Sequence, residues 1–176
     1  PVTLSFVSLA QIADHVVADL RPSAHGHTFD LRFPADLPLV ETDDAKVHQI
    51  LSNLVENALK YSPPDTRVTV RAEERDGGVL IYVEDEGRGI PPEAHARIFD
   101  RFFQVDGSAT RSVGGTGLGL YICKKTSETI GGRLWLERST GEGTSFCFWL
   151  PVRPALEPVA PVEVIPEPDR APALSR

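Results

Sequence analysis

Two alternating runs, "RVTVRAEE" and "VLIYVEDE", flank Asp76-Gly77-Gly78 in the middle of the chain. No other feature restricts the fold as much. Alternation sends successive side chains to opposite faces of a strand, and an Asp-Gly pair between two such runs sets a tight hairpin. An antiparallel pair must form, and its apolar face must be covered. A second hairpin is predicted from "RLWLERS" and "TSFCFWLP" around Thr140-Gly141-Glu142-Gly143. "TLSFVSL" reads as a short strand, and "HTFDLRF", with Phe29, Leu31 and Phe33 alternating, as a half-buried one.

The cover comes from helices. "SLAQIADHVVADLRP" has helical spacing at Leu9, Ile12, Ala13, Val16, Val17 and Leu20, with Ser8 and Gln11 as a capping box and Pro22 as a stop. Asp43-Asp44 open a second helix that runs to about Tyr61, where Ser62-Pro63-Pro64 end it. "PPEAHARIF" is predicted as a short helix with proline at its start. "GLGLYICKKTSETI" is predicted as a longer helix, ending at Gly131-Gly132. A polar, glycine-bearing loop from about Gln104 to Thr116 separates these two. Hairpins mixed with separate helices predict an α+β two-layer sandwich, a mixed and mostly antiparallel sheet with helices on one face.

Residues 1–151 are expected to form this domain, and residues 152–176, rich in Pro, Ala and Glu, a disordered tail. The net charge of -7, with Lys124-Lys125 as the only basic pair, argues against a nucleic-acid surface. Cys123 and Cys147 sit in apolar runs and are expected to be buried thiols. No apolar run approaches a membrane span and no signal peptide is visible, so direct membrane insertion is not expected. A chain that starts at Pro1 and contains no methionine is expected to be part of a longer protein.

Three segments carry chemistry. In "NLVENALKYS", Asn53, Asn57 and Lys60 fall within about 60° of one another on a helix. Ile50, Leu51, Leu54, Val55, Ala58 and Leu59 take the opposite arc, and Tyr61 lies between. Two carboxamides beside an ammonium suit Mg²⁺ with a polyphosphate, although a plain solvated face has the same pattern. "VEDEGRGIPP" places Asp85 at a strand end, followed by Gly87, Gly89 and Ile90. A carboxylate there can accept a hydrogen bond from the adenine amine, whereas guanine presents a carbonyl, although an Asx-type turn joining strand to helix has the same pattern. "GGTGLGLYICKK" sets Gly114, Gly115, Thr116, Gly117, Leu118 and Gly119 at a helix start, where free N–H groups bind phosphate. It is neither a Walker A loop nor a dinucleotide fingerprint, because no Gly-Lys-Ser/Thr follows and no strand precedes it. Between these segments, Phe99, Phe102 and Phe103 are expected to anchor one end of a mobile loop in the core, and Arg101 and Arg111 either to reach phosphates or to be simply solvated.

In this order the motifs resemble those of the ATP-binding catalytic domain of sensor histidine kinases, in the gyrase/Hsp90/histidine-kinase/MutL superfamily. The family's N, G1, F and G2 boxes are similar to "NLVENALKYS", "DEGRGI", "IFDRFF" and "GGTGLGL". The resemblance runs from about Val2 to Pro151 and implies a Bergerat-type fold that binds Mg-ATP. It implies Asn57 as the magnesium ligand, with Asn53 beside it and Lys60 on phosphate, these three being the catalytic set. Tyr61 would pack near the base or ribose. Asp85 would read the adenine amine, Gly87, Gly89 and Ile90 would shape that pocket, and Thr144 would reach adenine through water. The segment Gly115 to Gly119 would carry the lid and phosphate contacts.

ATP-hydrolysing relatives have a glutamate where this chain has Asn53, and an amide cannot act as a general base. The resemblance therefore implies transfer to a histidine on a separate dimerisation and phosphoacceptor domain of the parent, with a response regulator downstream. None of His15, His25, His27, His48 and His95 has the acceptor context. It also implies a cytoplasmic domain, monomeric by itself, in a parent that can be membrane-anchored. A nucleotide-sensing module without transfer and an anti-sigma-type serine kinase remain alternatives. Glu86 stands where the family often has a small polar residue, and is expected to point outward.

Overall fold

The structure, a computed structural model, describes residues 1–105 and 115–154. Five strands form the main sheet: β2 (Thr28–Arg32), β4 (Arg67–Arg75), β5 (Gly78–Asp85), β6 (Arg133–Thr140) and β7 (Gly143–Pro151). Their spatial order is β2-β4-β5-β7-β6. β2 runs parallel to β4 and every other neighbouring pair is antiparallel. The predicted hairpins are β4–β5 and β6–β7. In the ladder between β5 and β7, Asp85 stands opposite Thr144.

Three helices cover one face: α1 (Leu9–Leu20), α2 (Asp44–Tyr61) and α3 (Gly119–Thr129). The main core joins Ile12 and Val16 of α1, Ile50, Leu51 and Leu54 of α2 and Cys123 of α3 to Val68, Ile81, Phe146 and Phe148 of the sheet. Among the described residues, the other face carries a small cluster, Leu80, Tyr82 and Cys147 with Trp135 and Trp149, to which no helix residue belongs. Both cysteines are buried free thiols, as expected. The α+β sandwich predicted from the sequence is the observed fold.

Local chemistry explains the element ends. The Ser8 hydroxyl caps α1 by accepting from the Gln11 N–H. Asp43 caps α2, accepting from the Lys46 N–H at 3.1 Å and the Thr3 N–H at 2.8 Å. Those donors, that of Thr3 foremost, hold its carboxyl below the usual aspartate range. The β4–β5 turn has φ of 54° at Asp76 and 70° at Gly77, both left-handed, as a type I′ turn requires. A β-carbon on Gly77 would meet nothing within 4 Å. Gly77→Ala is therefore expected to lose roughly 1 kcal/mol of stability from backbone strain alone, seen as a lower urea midpoint with unchanged slope.

The structure adds one strand to the predicted set and departs from it at three further points. A three-residue strand, β3 (Val40–Thr42), pairs with β1 (Ser5–Val7) in a separate two-stranded sheet. It is too short to show a period, and it is held from outside, by the Glu41 N–H donating to the Val152 carbonyl at 2.9 Å. "PPEAHARIF" contains only one 3₁₀ turn, Pro92–Ala94. The bonds that follow it, Arg97 N–H to Ala94 O and Asp100 N–H to Arg97 O, also skip three residues. Tertiary anchors, with Ile98 buried and Phe99 edge-on to Phe146 at 6.1 Å, outweigh helix propensity there. Phe103 is half-buried against the core, but Phe102 is 70% exposed, with a φ of 59°. The Phe102 N–H bonds the Gly117 carbonyl at 2.9 Å, which turns its ring outward. Arg101 lies over the Tyr121 ring at 4.7 Å and does not line the cavity described next. Arg111, Gly114 and the tail from residue 155 lie outside the described residues.

Candidate functional site

A cavity of about 680 Å³ opens between the exposed face of α2, the C-terminal end of β5, the β6–β7 turn and the start of α3. Its size falls within the range of small-ligand sites. Of the residues singled out from the sequence, Asn53, Asn57, Lys60 and Tyr61 line it from α2, and Asp85, Gly89 and Ile90 from the end of β5. Gly115, Thr116, Gly117 and Gly119 line it before and at the start of α3, and Thr144 from β7. Gly87 and Leu118 do not face it. Gly87 instead serves the site from behind, since its N–H donates to Asp85 Oδ1 at 2.8 Å. Leu118 occupies the N-cap position of α3.

The two ends of the cavity differ in chemistry. At one end α2 presents amides and an ammonium because its apolar residues are committed to the core. Behind Asn53 lies the Cys123 thiol, which burial pushes up to about 12 and for which the Asn53 side chain is a hydrogen-bonding neighbour. A β-carbon on Gly115 would stand 3.3 Å from Lys60 Nζ, so the ammonium lies against the glycine segment. Among the described residues no side chain caps the start of α3, where Gly119 and Leu120 face the cavity with first-turn N–H groups that need partners. Gln104 reaches the Gly115 carbonyl with its amide.

The other end centres on Asp85. Burial raises its pKa, while N–H donors from Gly87 and Thr144 work in the opposite direction. Gly89, with φ at 76°, brings its backbone so close to β6 that an added β-carbon would stand 2.0 Å from the Thr140 carbonyl oxygen. No other residue type fits that approach. The Ile90 N–H donates to Ser139 Oγ at 2.7 Å, and His95 Nε2 donates to the Ile90 carbonyl at 2.8 Å. Glu86 turns away as expected, 3.6 Å from Arg67 and absent from the lining.

Sequence reading missed Glu56, Arg88 and Ser139, all of which line the cavity. Glu56 lies three residues after Asn53 and four before Lys60, so helical periodicity alone would have placed it there. Nothing local marks Ser139, whose partner Ile90 is 49 positions away. Among the described residues no three His, Cys, Asp or Glu side chains come together to hold a metal. A cation at the α2 end would rest on the Asn57 carboxamide oxygen together with ligand oxygens and water. Mg²⁺ tolerates so sparse a protein donor set, so these residues fit it.

The chain is 44% identical over 116 residues, 65% of its length, to sensor histidine kinase WalK of Bacillus subtilis. It is 39% identical over 109 residues, 62% of its length, to sensor protein SrrB of Staphylococcus aureus. It spans about a fifth of each of these relatives, 19% in both cases. Among solved structures, the mycobacterial sensor histidine kinase MprB superposes with a TM-score of 0.73 at 30% identity, over 86% of this chain and 99% of that one. Full-length ShkA in complex with AMPPNP gives 0.75 at 31% identity, over 86% of this chain and 31% of that one. Histidine kinase ThkA in complex with the response regulator TrrA gives 0.70 at 25% identity, over 85% of this chain and 42% of that one. Residues 42–154, which hold all three motif segments and the closing hairpin, match the family model described as histidine kinase-, DNA gyrase B- and HSP90-like ATPase, and to that family the chain belongs.

Proposed function

We propose that this domain binds Mg-ATP and presents its γ-phosphoryl group to a histidine on a separate dimerisation and phosphoacceptor domain of the same parent protein. A response regulator then receives the phosphoryl group. The observation that carries this reading is one cavity with two ends, an amide-and-ammonium end on α2 and a buried carboxylate at Asp85. A triphosphate has its charge at one end and an amine-bearing ring at the other, so the two ends match in order. The complexes of ShkA with AMPPNP and of ThkA with a response regulator support the same assignment here.

Each residue has a role in this reading. Asp85 accepts from the adenine amine, and Gly87 holds the carboxylate in place. Gly89 and Ile90 form a wall of the base pocket, and Tyr61 packs beside the base or ribose. Lys60 and the N–H groups at Gly119 neutralise phosphate charge, with Gly115, Thr116 and Gly117 closing over it and Leu118 setting the start of α3 behind them. Asn57 would hold the magnesium, which when bound supplies further neutralisation of phosphate charge. Asn53 orients the terminal phosphate without deprotonating water, because an amide cannot act as a base. Catalysis is then mostly positioning and electrostatics.

The test supplies a phosphoacceptor hairpin in trans with γ-labelled ATP. Acid-labile, base-stable label on the hairpin histidine is expected, with little phosphate released when the hairpin is withheld. Tight ATP binding with no label on any acceptor would reduce the domain to a nucleotide sensor. Among the described residues no helix is long and apolar enough to cross a membrane. We place the domain in the cytoplasm, where ATP and response regulators are found, and expect it to be monomeric without its partner domain.

A further inference from the structure

The adenine end contains a relay that the motifs do not include. Ser139, half-buried on β6, accepts from the Ile90 N–H at 2.7 Å and lies 3.3 Å from Thr144 Oγ1. A hydroxyl has one proton to donate. The Ile90 bond occupies one of the two Ser139 lone pairs, and either hydroxyl can donate across the Ser139–Thr144 contact. Thr144 is buried, 5% exposed, and lines the cavity.

Resting on the nucleotide reading above, we infer that Ser139 donates to Thr144 and is thereby a positioning residue for base selection: it fixes the Thr144 hydroxyl as a donor toward the base. Beside it, the Asp85 carboxylate is an acceptor. An acceptor next to a donor complements the amine and N1 lone pair of adenine. It opposes the carbonyl and N1–H of a 6-oxopurine, whose order is reversed. Ser139 touches no nucleotide in this scheme and acts through Thr144 while pinning the Ile90 backbone.

Calorimetry with ATP and with inosine triphosphate, both with magnesium, separates this role from simple bracing. Ser139→Ala is expected to weaken ATP about three- to tenfold, the scale of one hydrogen bond, and to leave inosine triphosphate unchanged. The preference for ATP shrinks by the same factor, and Ser139→Thr restores it. In a Thr144→Val background, which has no hydroxyl to orient, Ser139→Ala is expected to leave the preference unaltered. Equal weakening of both nucleotides in Ser139→Ala, with the wild-type ratio kept, overturns the inference and leaves Ser139 a brace for the Ile90 loop. Wild-type protein that binds neither nucleotide overturns the functional reading itself, a different result from an unchanged ratio. Thermal melting of each variant confirms that the folded domain is being compared.

Discussion

Asn57→Ala is expected to abolish magnesium-dependent binding of ATP, with a loss on the order of 100-fold in affinity when the cation is present. The affinity measured in chelator is expected to change little, so the ratio between the two conditions falls toward one. The argument turns on what alanine does to α2. Asn57 lies half-buried on the polar side of the helix, while the neighbouring core positions Leu54, Val55 and Ala58 are at most 3% exposed. Alanine is a better helix former than asparagine, so α2 is not weakened. Loss of binding with an equal or higher melting temperature would trace to the carboxamide and to nothing else. Calorimetry with and without magnesium is the measurement, and an unchanged ratio removes Asn57 from the cation site.

The second large effect concerns Asp85. Asp85→Asn keeps an oxygen for the Gly87 N–H, now at 2.8 Å, but turns one acceptor into an amide donor. The adenine amine then faces a donor, and ATP affinity is expected to fall about 10- to 100-fold, the range for a hydrogen bond to a charged group. A 6-oxopurine carbonyl gains a partner, so preference moves toward inosine triphosphate or GTP. Asp85→Ala removes both possibilities and is expected to abolish discrimination without reversing it. Competition against a fluorescent nucleotide reads all three proteins.

Asp85 also sets a pH dependence. Its folded pKa lies above the ordinary aspartate value of 3.8, with burial as the main cause. The folded state thus holds this proton more tightly than the unfolded chain. Whatever this group contributes to stability falls as pH rises through the window above 3.8, and the cost of the buried anion is complete once pH exceeds the raised value. Adenine reverses the preference, because its amine stabilises the anion. ATP binding should therefore expel a proton, and affinity should rise with pH across that window. In Asp85→Asn the slope is expected to vanish, and at neutral pH the unliganded variant should melt higher than the wild type.

Legibility in the sequence followed locality. α2 could be bounded in advance because a capping aspartate, an apolar arc and two prolines all lie within one segment. The two hairpins were marked by their own turns. β3 was not legible, because its three residues are a strand only through partners at β1 and Val152. The 3₁₀ turn at Pro92–Ala94 and the outward ring of Phe102 were likewise set by contacts distant in sequence. The site divided in the same way. Asn53, Asn57 and Lys60 were grouped by helical period, and Asp85 by its glycines. Ser139 became visible only when the sheet brought β6 beside the loop after β5.

Asp85 and Thr144 are rung-mates on neighbouring central strands. Base recognition is thus inherited from strand alignment, and its two halves cannot drift apart independently in evolution. Extra residues at the far turn, Asp76-Gly77, would leave the pair intact. A single codon inserted between Gly78 and Asp85 would invert every side chain beyond it, leaving a lineage with a folded domain that could no longer read its nucleotide.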